Sequence, residues 1–309
     1  MIVGICRSKN NQTIVEPFVR HHLRLLDRLL ICDNGSVDET KEILAKLAAE
    51  DGRLVVSHDE GFGDFQSKHY AALMDAAEQF NPSFIVPLDA DEFLGVPDRD
   101  TLVKTLQQIP IGGYGMVYWR TFVVTPDTVE SCAQDSPEGF RWRRKAEIPP
   151  LFGKVILRLE NQSVKNFTLG PGNHSVYRND GQPMPSFDFG VSLPLLHFPL
   201  TCKVQLLAKT VVHWMAFLVR DARARETGDD GWQSQRNFDK IVNADGVVSD
   251  ADLCEASLMY AQDLYCEGKR PELMQDDHGI KYERKYSTGE SMAAIPLIAK
   301  TWKQSLEKL

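Results

Sequence analysis

Residues 84–94 read FIVPLDADEFL, an apolar run that passes directly into three acids, Asp89, Asp91 and Glu92. Side chains alternate along an extended chain, so Asp89 and Asp91 are expected on one side and Ala90 and Glu92 on the other. Two carboxylates on one side repel unless one takes a proton or a cation sits between them. Magnesium is commonly held by one or two carboxylates plus substrate phosphate oxygens, and manganese accepts similar ligands. The pair therefore points to a clamp for a diphosphate, with Mn2+ or Mg2+ as cofactor. The competing reading is a solvated acidic turn ahead of a helix N-terminus, which tolerates negative charge.

A second cluster, CDNGSVDET, covers residues 32–40. Asp33 leaves an apolar run, Asn34-Gly35 turns the chain, and a helix follows with Ser36 or Asp38 as its cap. An acid so placed can accept hydrogen bonds from a base or a ribose. Ordinary turn chemistry explains the same residues. No G-x-G-x-x-G follows the first apolar run and no Walker A lysine loop occurs, which disfavours dinucleotide and P-loop folds.

The elements that must position these acids alternate in type. Short apolar runs, MIVGIC, RLLIC, RLVVS and SFIVPL, read as strands, and segments of helical spacing separate them. That alternation predicts right-handed crossovers and a mainly parallel sheet with helices on both faces, an α/β fold. Such sheets bind ligands beyond the carboxyl ends of their strands, where Arg7, Asp33, Asp89 and Asp91 all fall. After Gly112 prolines, glycines and aromatics thicken into an irregular acceptor region, and from Val204 onward the pattern reads as mostly helical. The expected division is a catalytic domain over residues 1–218 and a helical extension over 219–309.

The chain has 309 residues and a net charge of -8, so no global basic field attracts nucleic acid. Its six cysteines show no C-x-x-C spacing and suit a reducing compartment. No run approaches the roughly 20 apolar residues of a membrane span. A cytoplasmic protein is expected. The lysine-bearing tail AAIPLIAKTWKQSLEKL and the cationic RWRRK segment around Trp142 are candidates for peripheral contact with a membrane or an anionic acceptor.

Taken together, MIVGICRSKNNQTIVEPFVRHHLRLLDRLLICDNGSVDET and PLDADEFL resemble glycosyltransferase family 2-like proteins. GKVILR, GNHSV and LLHFPLTCKVQLLAK look like weaker later blocks of the same group, so the likeness spans residues 1–209. RSKNNQT stands where the group usually has KNE after its first strand. The resemblance implies a GT-A (Rossmann-like) fold. It also implies inverting transfer from a nucleoside-diphosphate sugar, expected to be a UDP-sugar, to a glycan or lipid-linked acceptor in polysaccharide synthesis. Carried over, Asp33 with Gly35 and Ser36 would meet the nucleotide, with Arg7 nearby. Asp89 would face ribose or metal, and Asp91 would ligate the metal.

His197, flanked by apolar residues, reads on its own as a core histidine; the resemblance makes it a metal ligand. Lys154, with Arg158, Lys203 and Lys209 as further candidates, could neutralise the leaving diphosphate. Lys68 begins a helix at the sheet's carboxyl edge, and His174 lies in a glycine-rich turn, each within reach of the donor. Trp119 could stack on a sugar or fill the core. Inversion needs a general base, and Asp188, Glu138 and Asp135 are candidates among the acids of the irregular region. The alternatives are a nucleotidyltransferase and a catalytically inactive nucleotide- or glycan-binding protein.

Overall fold

The computed structural model describes residues 1–60, 66–130, 137–147, 151–210, 248–261, 270–282 and 285–286. Strands β1 (Ile2–Ser8), β2 (Arg28–Asp33), β3 (Leu54–His58) and β4 (Phe84–Asp89) alternate with helices α1 (Val15–Leu23), α2 (Thr40–Glu50) and α3 (Gln66–Glu78). The four strands are parallel in the order β3-β2-β1-β4. Their continuous apolar runs follow from burial on both faces. Val3, Ile5, Leu30 and Ile85 pack with Tyr70, Leu73 and Met74 of α3. Ile2, Leu29, Ile31 and Val86 pack with Phe18 and Val19 of α1 and Ile43 and Leu44 of α2.

Beyond β4 the sheet becomes mixed. The later elements are β5 (Glu92–Leu94), α4 (Arg99–Leu106), β6 (Tyr114–Thr121), α5 (Pro126–Glu130), β7 (Trp142–Arg144), β8 (Gly153–Arg158), β9 (Phe167–Leu169), β10 (Val176–Arg178), β11 (Ser186–Asp188) and β12 (Leu195–His197). From β4 the order runs β8, β6, β12, β5, with β11 beside the start of β6, giving nine strands. β8 runs antiparallel to both β4 and β6. The parallel expectation thus holds for the first four strands and gives way where the irregular region folds back as antiparallel insertions. β4 pairs with β8 only at Phe84 and Ile85. Pro87, which has no N–H to give, follows where that ladder has stopped. The two strands part there, and the split opens the site.

Among the described residues of the C-terminal part both helix and strand are present. Residues 203–210 and α6 (Asp250–Leu258) are helical, but β13 (Leu273–Gln275) pairs antiparallel with β7. Cations of RWRRK take part in this junction. Arg143 pairs with Asp276 and Lys145 with Glu272, while Arg144 is buried under the end of α6. The proposed boundary at 218/219 and the lysine-bearing tail lie outside the described residues.

Candidate active site

A cavity of about 340 Å³ lies at the carboxyl edge of the parallel strands, and Arg7, Asp89, Asp91, Lys154, His174 and His197 all line it. Asp89 ends β4, and Lys154 reaches it from β8, with Nζ 2.5 Å from Oδ2. Nζ also donates to Gly172 O at 2.7 Å and lies 3.6 Å from Glu92. Tyr70 donates to the other Asp89 oxygen at 3.1 Å. Lys154 is only 1% exposed. Burial opposes its charge, but Asp89 and Glu92 outweigh that and push its pKa up to about 12. Burial likewise opposes the Asp89 carboxylate, yet Lys154 holds its pKa below the usual range.

Glu92 is not on the far side from Asp89, as strict alternation predicts. A turn at Ala90 and Asp91 separates β4 from β5, and the Glu92 carboxylate folds back to accept the Asp89 N–H at 2.8 Å. Its second oxygen accepts the Trp119 indole N–H at 2.6 Å. Burial, together with Asp89 and Asp91 and against the pull of Lys154, raises its pKa to about 8. His21 and His22 brace β5 from α1. His21 Nε2 lies 2.9 Å from Leu94 O, and His22 Nε2 accepts the Leu94 N–H at 3.4 Å.

Asp91 is paired with Lys209, which also donates to Pro199 O. His197 sits beside it, since Phe198 donates its N–H to Asp91 O at 2.8 Å. The imidazole stacks on Trp119 with centroids 4.0 Å apart. Its Nδ1 is buried with no hydrogen-bond partner. Burial and the nearby cations Lys209 and Arg144 hold its pKa far below the usual value, so the ring is neutral, the form that binds metals. A divalent ion fits here. Among the described residues no three His, Cys, Asp or Glu side chains form a metal cage by themselves, so Asp91 and His197 would supply two ligands and diphosphate oxygens the rest.

The second acidic cluster lies at the ends of β1 and β2, and Asp33, Gly35 and Ser36 do not line the cavity. Asp33 is buried; Oδ2 accepts the Ser36 N–H at 3.3 Å and Oδ1 has no partner. Gly35 adopts a φ of +62°, which glycine takes without strain. The Ser36 hydroxyl accepts the Asn10 N–H at 2.9 Å, and Asn10 Oδ1 accepts the Val37 N–H at 2.9 Å. Gln12 and Glu39 add a further bond between the same loops. RSKNNQT and DNGSVDET are thus stapled together, and Ser36 spends its oxygen on the staple. Asp38, not Ser36, accepts the first helical N–H, from Thr40 at 3.0 Å.

Other candidates fall away from the cavity. Lys68 is 73% exposed and lies 3.5 Å from Asp59. Glu138 accepts the Tyr282 N–H at 2.7 Å and anchors the C-terminal segment. Asp188 is exposed beside the start of β6, where it accepts the Gly190 N–H and the Tyr118 hydroxyl. Neither acid lines the cavity, so neither is placed to serve as its base; Asp135 lies outside the described residues. Arg158 donates to Gln107 O and Ile109 O at the opposite end of β8, and Lys203 pairs with Asp250. His174 does line the cavity, its Nδ1 2.5 Å from Gly153 O. Sequence reading passed over Phe152 and Tyr260, which complete the cavity wall with Trp119; Tyr260 stands 141 positions from that indole, beyond any local pattern.

The chain matches the family described as Glycosyl transferase family 2 over residues 8–163, just over half of its 309 residues. It belongs to that family and is a glycosyltransferase built on a mixed α/β sheet. Among solved structures it is similar to S. aureus TarS 1-349 in complex with UDP, at 12% identity over 81% of this chain and 73% of that one, with a TM-score of 0.40. It is also similar to the mannosyltransferase PcManGT from Pyrobaculum calidifontis in complex with GDP-Man and Mn2+, at 14% identity over 99% and 80%, TM-score 0.41. A third is glucosyl-3-phosphoglycerate synthase from Mycobacterium tuberculosis in complex with Mn2+, UDP and phosphoglyceric acid, at 16% identity over 43% and 47%, TM-score 0.30. A search of curated proteins finds no match.

Proposed function

We propose that this glycosyltransferase moves a sugar from a nucleoside-diphosphate sugar, with a UDP-sugar as the expected donor, to a glycan or lipid-linked acceptor, inverting the anomeric carbon. The observation that carries this reading is the convergence of Asp89 and Asp91 with Arg7, Lys154 and Lys209 on one cavity. Synthesis of a polysaccharide, in the cytoplasm or at the inner face of the membrane, belongs to the same proposal. No described helix is long and apolar enough to cross a membrane.

As the glycosidic bond breaks, negative charge gathers on the departing diphosphate. Preorganised cations at that position stabilise the transition state without reorganising. Arg7 lines the cavity and supplies such charge, while Lys209 is held by Asp91 and Pro199 O. Lys154 is locked between Asp89 and Gly172 O, so it fixes the Asp89 carboxylate. A divalent ion held by Asp91 and His197 would add Lewis-acid stabilisation of the same oxygens. Asp33 is assigned to the base in this reading, supported by its one unpartnered oxygen. The acceptor's proton goes to a base on the opposite face of the sugar, a role that the placements of Glu138 and Asp188 do not support.

Thermal unfolding of the full chain with UDP and GDP, with and without Mn2+, tests this. One nucleoside diphosphate should raise Tm, more with metal than without, and Asp91→Asn should remove the metal-dependent part. A chain that responds to neither nucleotide and releases no sugar from their sugar conjugates would overturn the reading.

A further inference from the structure

The wall of the cavity that comes from the C-terminal part has a defined chemistry. Tyr260 follows α6, lines the cavity, and sets its ring 5.3 Å from that of His197 and 6.4 Å from that of Trp119. Among the described residues no hydrogen bond holds its hydroxyl. A phenol keeps its proton at neutral pH, so this hydroxyl can donate.

The Tyr260 backbone is held in place. Arg144, 1% exposed, donates to Leu258 O at 2.7 Å and Tyr260 O at 2.6 Å. Glu147 pairs with the same guanidinium at 3.0 Å and accepts the Thr121 N–H at the end of β6. The next residue, Ala261, has a φ of +60°, a left-handed conformation that a residue with a Cβ adopts only when its surroundings enforce it. A chain of contacts thus runs from the strand that carries Trp119 to the residue facing it.

Strand spacing says what part of the donor meets Tyr260. Asp33 on β2 and Asp89 on β4 are two paired strands apart, roughly 10 Å, and Trp119 on β6 stands across the gap between β4 and β8, its indole N–H on the Glu92 carboxylate that also accepts the Asp89 N–H. A nucleotide sugar laid along this edge puts its base over β2, its diphosphate over β4 and its sugar over β6. That last third is walled by Phe152, Trp119 and Tyr260; Phe152 and His197 both stack on the indole, at 5.3 and 4.0 Å, so the polar group this wall offers a sugar is the Tyr260 hydroxyl.

We infer that Tyr260 is a specificity-determining residue whose hydroxyl donates a hydrogen bond to a hydroxyl of the transferred monosaccharide, and that Arg144 is the residue that positions it. The inference rests on the nucleotide-sugar reading given above.

The full chain and its Y260F, R144K, E147Q and R144K/Y260F variants would be compared in two assays. The first is calorimetric binding of UDP and GDP with Mn2+. The second is sugar release from the epimeric pairs UDP-glucose and UDP-galactose, and GDP-mannose and GDP-glucose. Y260F should leave the Kd of the bare nucleoside diphosphate within about twofold while lowering kcat/KM for the preferred donor roughly five- to tenfold, the size of one uncharged hydrogen bond, and narrowing the ratio between epimers. R144K and the milder E147Q should reproduce the narrowed epimer ratio, and the double variant should be no worse than Y260F, because positioning acts only through the hydroxyl. Equal losses on bare nucleotide and on donor, or an unchanged epimer ratio, would overturn the assignment of Tyr260. Additive losses in the double variant would overturn that of Arg144. Wild-type chain that binds no nucleoside diphosphate would overturn the parent reading, and this one with it.

Discussion

Lys154 Nζ lies 2.5 Å from Asp89 Oδ2 across the gap where β4 and β8 stop pairing. An ammonium buried to 1% exposure therefore answers part of the repulsion that the D-A-D sequence creates. Lys209 answers another part at Asp91, and Glu92 answers its own by favouring the protonated form. The acidic knot is tolerable in the free protein because each carboxylate has a different means of relief.

Removing the buried ammonium should be costly. Lys154→Met keeps the length of the stem but leaves Asp89 and Glu92 facing each other without a counter-charge. Breaking a buried pair from one side typically costs about 3–5 kcal/mol. Glu92 can take up a proton, so the lower end, about 3 kcal/mol, is expected at neutral pH. Urea unfolding at fixed slope measures it, and a loss under about 1 kcal/mol would mean that Lys154 is not the principal counter-ion.

Glu92 also gives stability a pH dependence of definite sign. Its carboxyl titrates near 8 in the fold, against 4.5 when unfolded. The folded chain therefore holds a proton that the unfolded chain releases, and this contribution is lost as pH rises from about 4.5 to about 8, by up to about 1.4 kcal/mol per unit. His21 works in the other direction. Burial lowers its pKa to about 4, so stability falls as pH drops from about 6.5 towards 4, and His22 and His197 add to it. Glu92→Gln, which mimics the neutral acid, should flatten the alkaline arm and steepen the acid one. Unfolding midpoints across this range would show wild type and variant diverging as pH rises; parallel curves would contradict the assignment.

The stapled loops at the ends of β1 and β2 separate two contributions at one position. Asn10 has a φ of +52° and accepts the Val37 N–H. Asn10→Ala loses the hydrogen bond and places a Cβ in a left-handed conformation, costing about 2 kcal/mol in all. Asn10→Gly loses only the hydrogen bond and some unfolded-state entropy, so about 1 kcal/mol is expected. Equal losses in chemical denaturation would show that the backbone conformation is not strained.

Much of this arrangement was legible in the sequence because local physics dictates it. β1, β2 and β4 are buried on both faces, so they appear as unbroken apolar runs, and the acids that end them fall at the binding edge. Asp89 and Asp91 line the cavity for that reason, whereas Asp33 ends β2 without lining it. Alternation misplaced Glu92 because the strand breaks at Ala90 and Asp91, a turn that apolar patterning does not reveal. Loop acids carry no periodicity, so nothing local separated Asp188 and Glu138 from carboxylates that reach the site. The RWRRK cluster looked solvent-facing because its partners, Asp276 and Glu272, follow more than 120 residues later. Tyr260 was invisible for the same reason: its place depends on Arg144, 116 positions earlier.

His197 separates metal binding from simple packing. The ring is fully enclosed and stacked on Trp119, but Nδ1 has no partner. A buried polar atom without a partner costs about 1–3 kcal/mol, so His197→Phe, which keeps an aromatic ring on the indole, should leave the free protein as stable as wild type or more so. If that nitrogen is a ligand, the variant should also lose the extra Tm that Mn2+ adds to UDP or GDP, while keeping whatever stabilisation the nucleotide gives alone. A purely structural histidine would show the reverse, a lower Tm in the free protein and an intact response to manganese. Both quantities come from one set of melting curves, so the two roles cannot be confused.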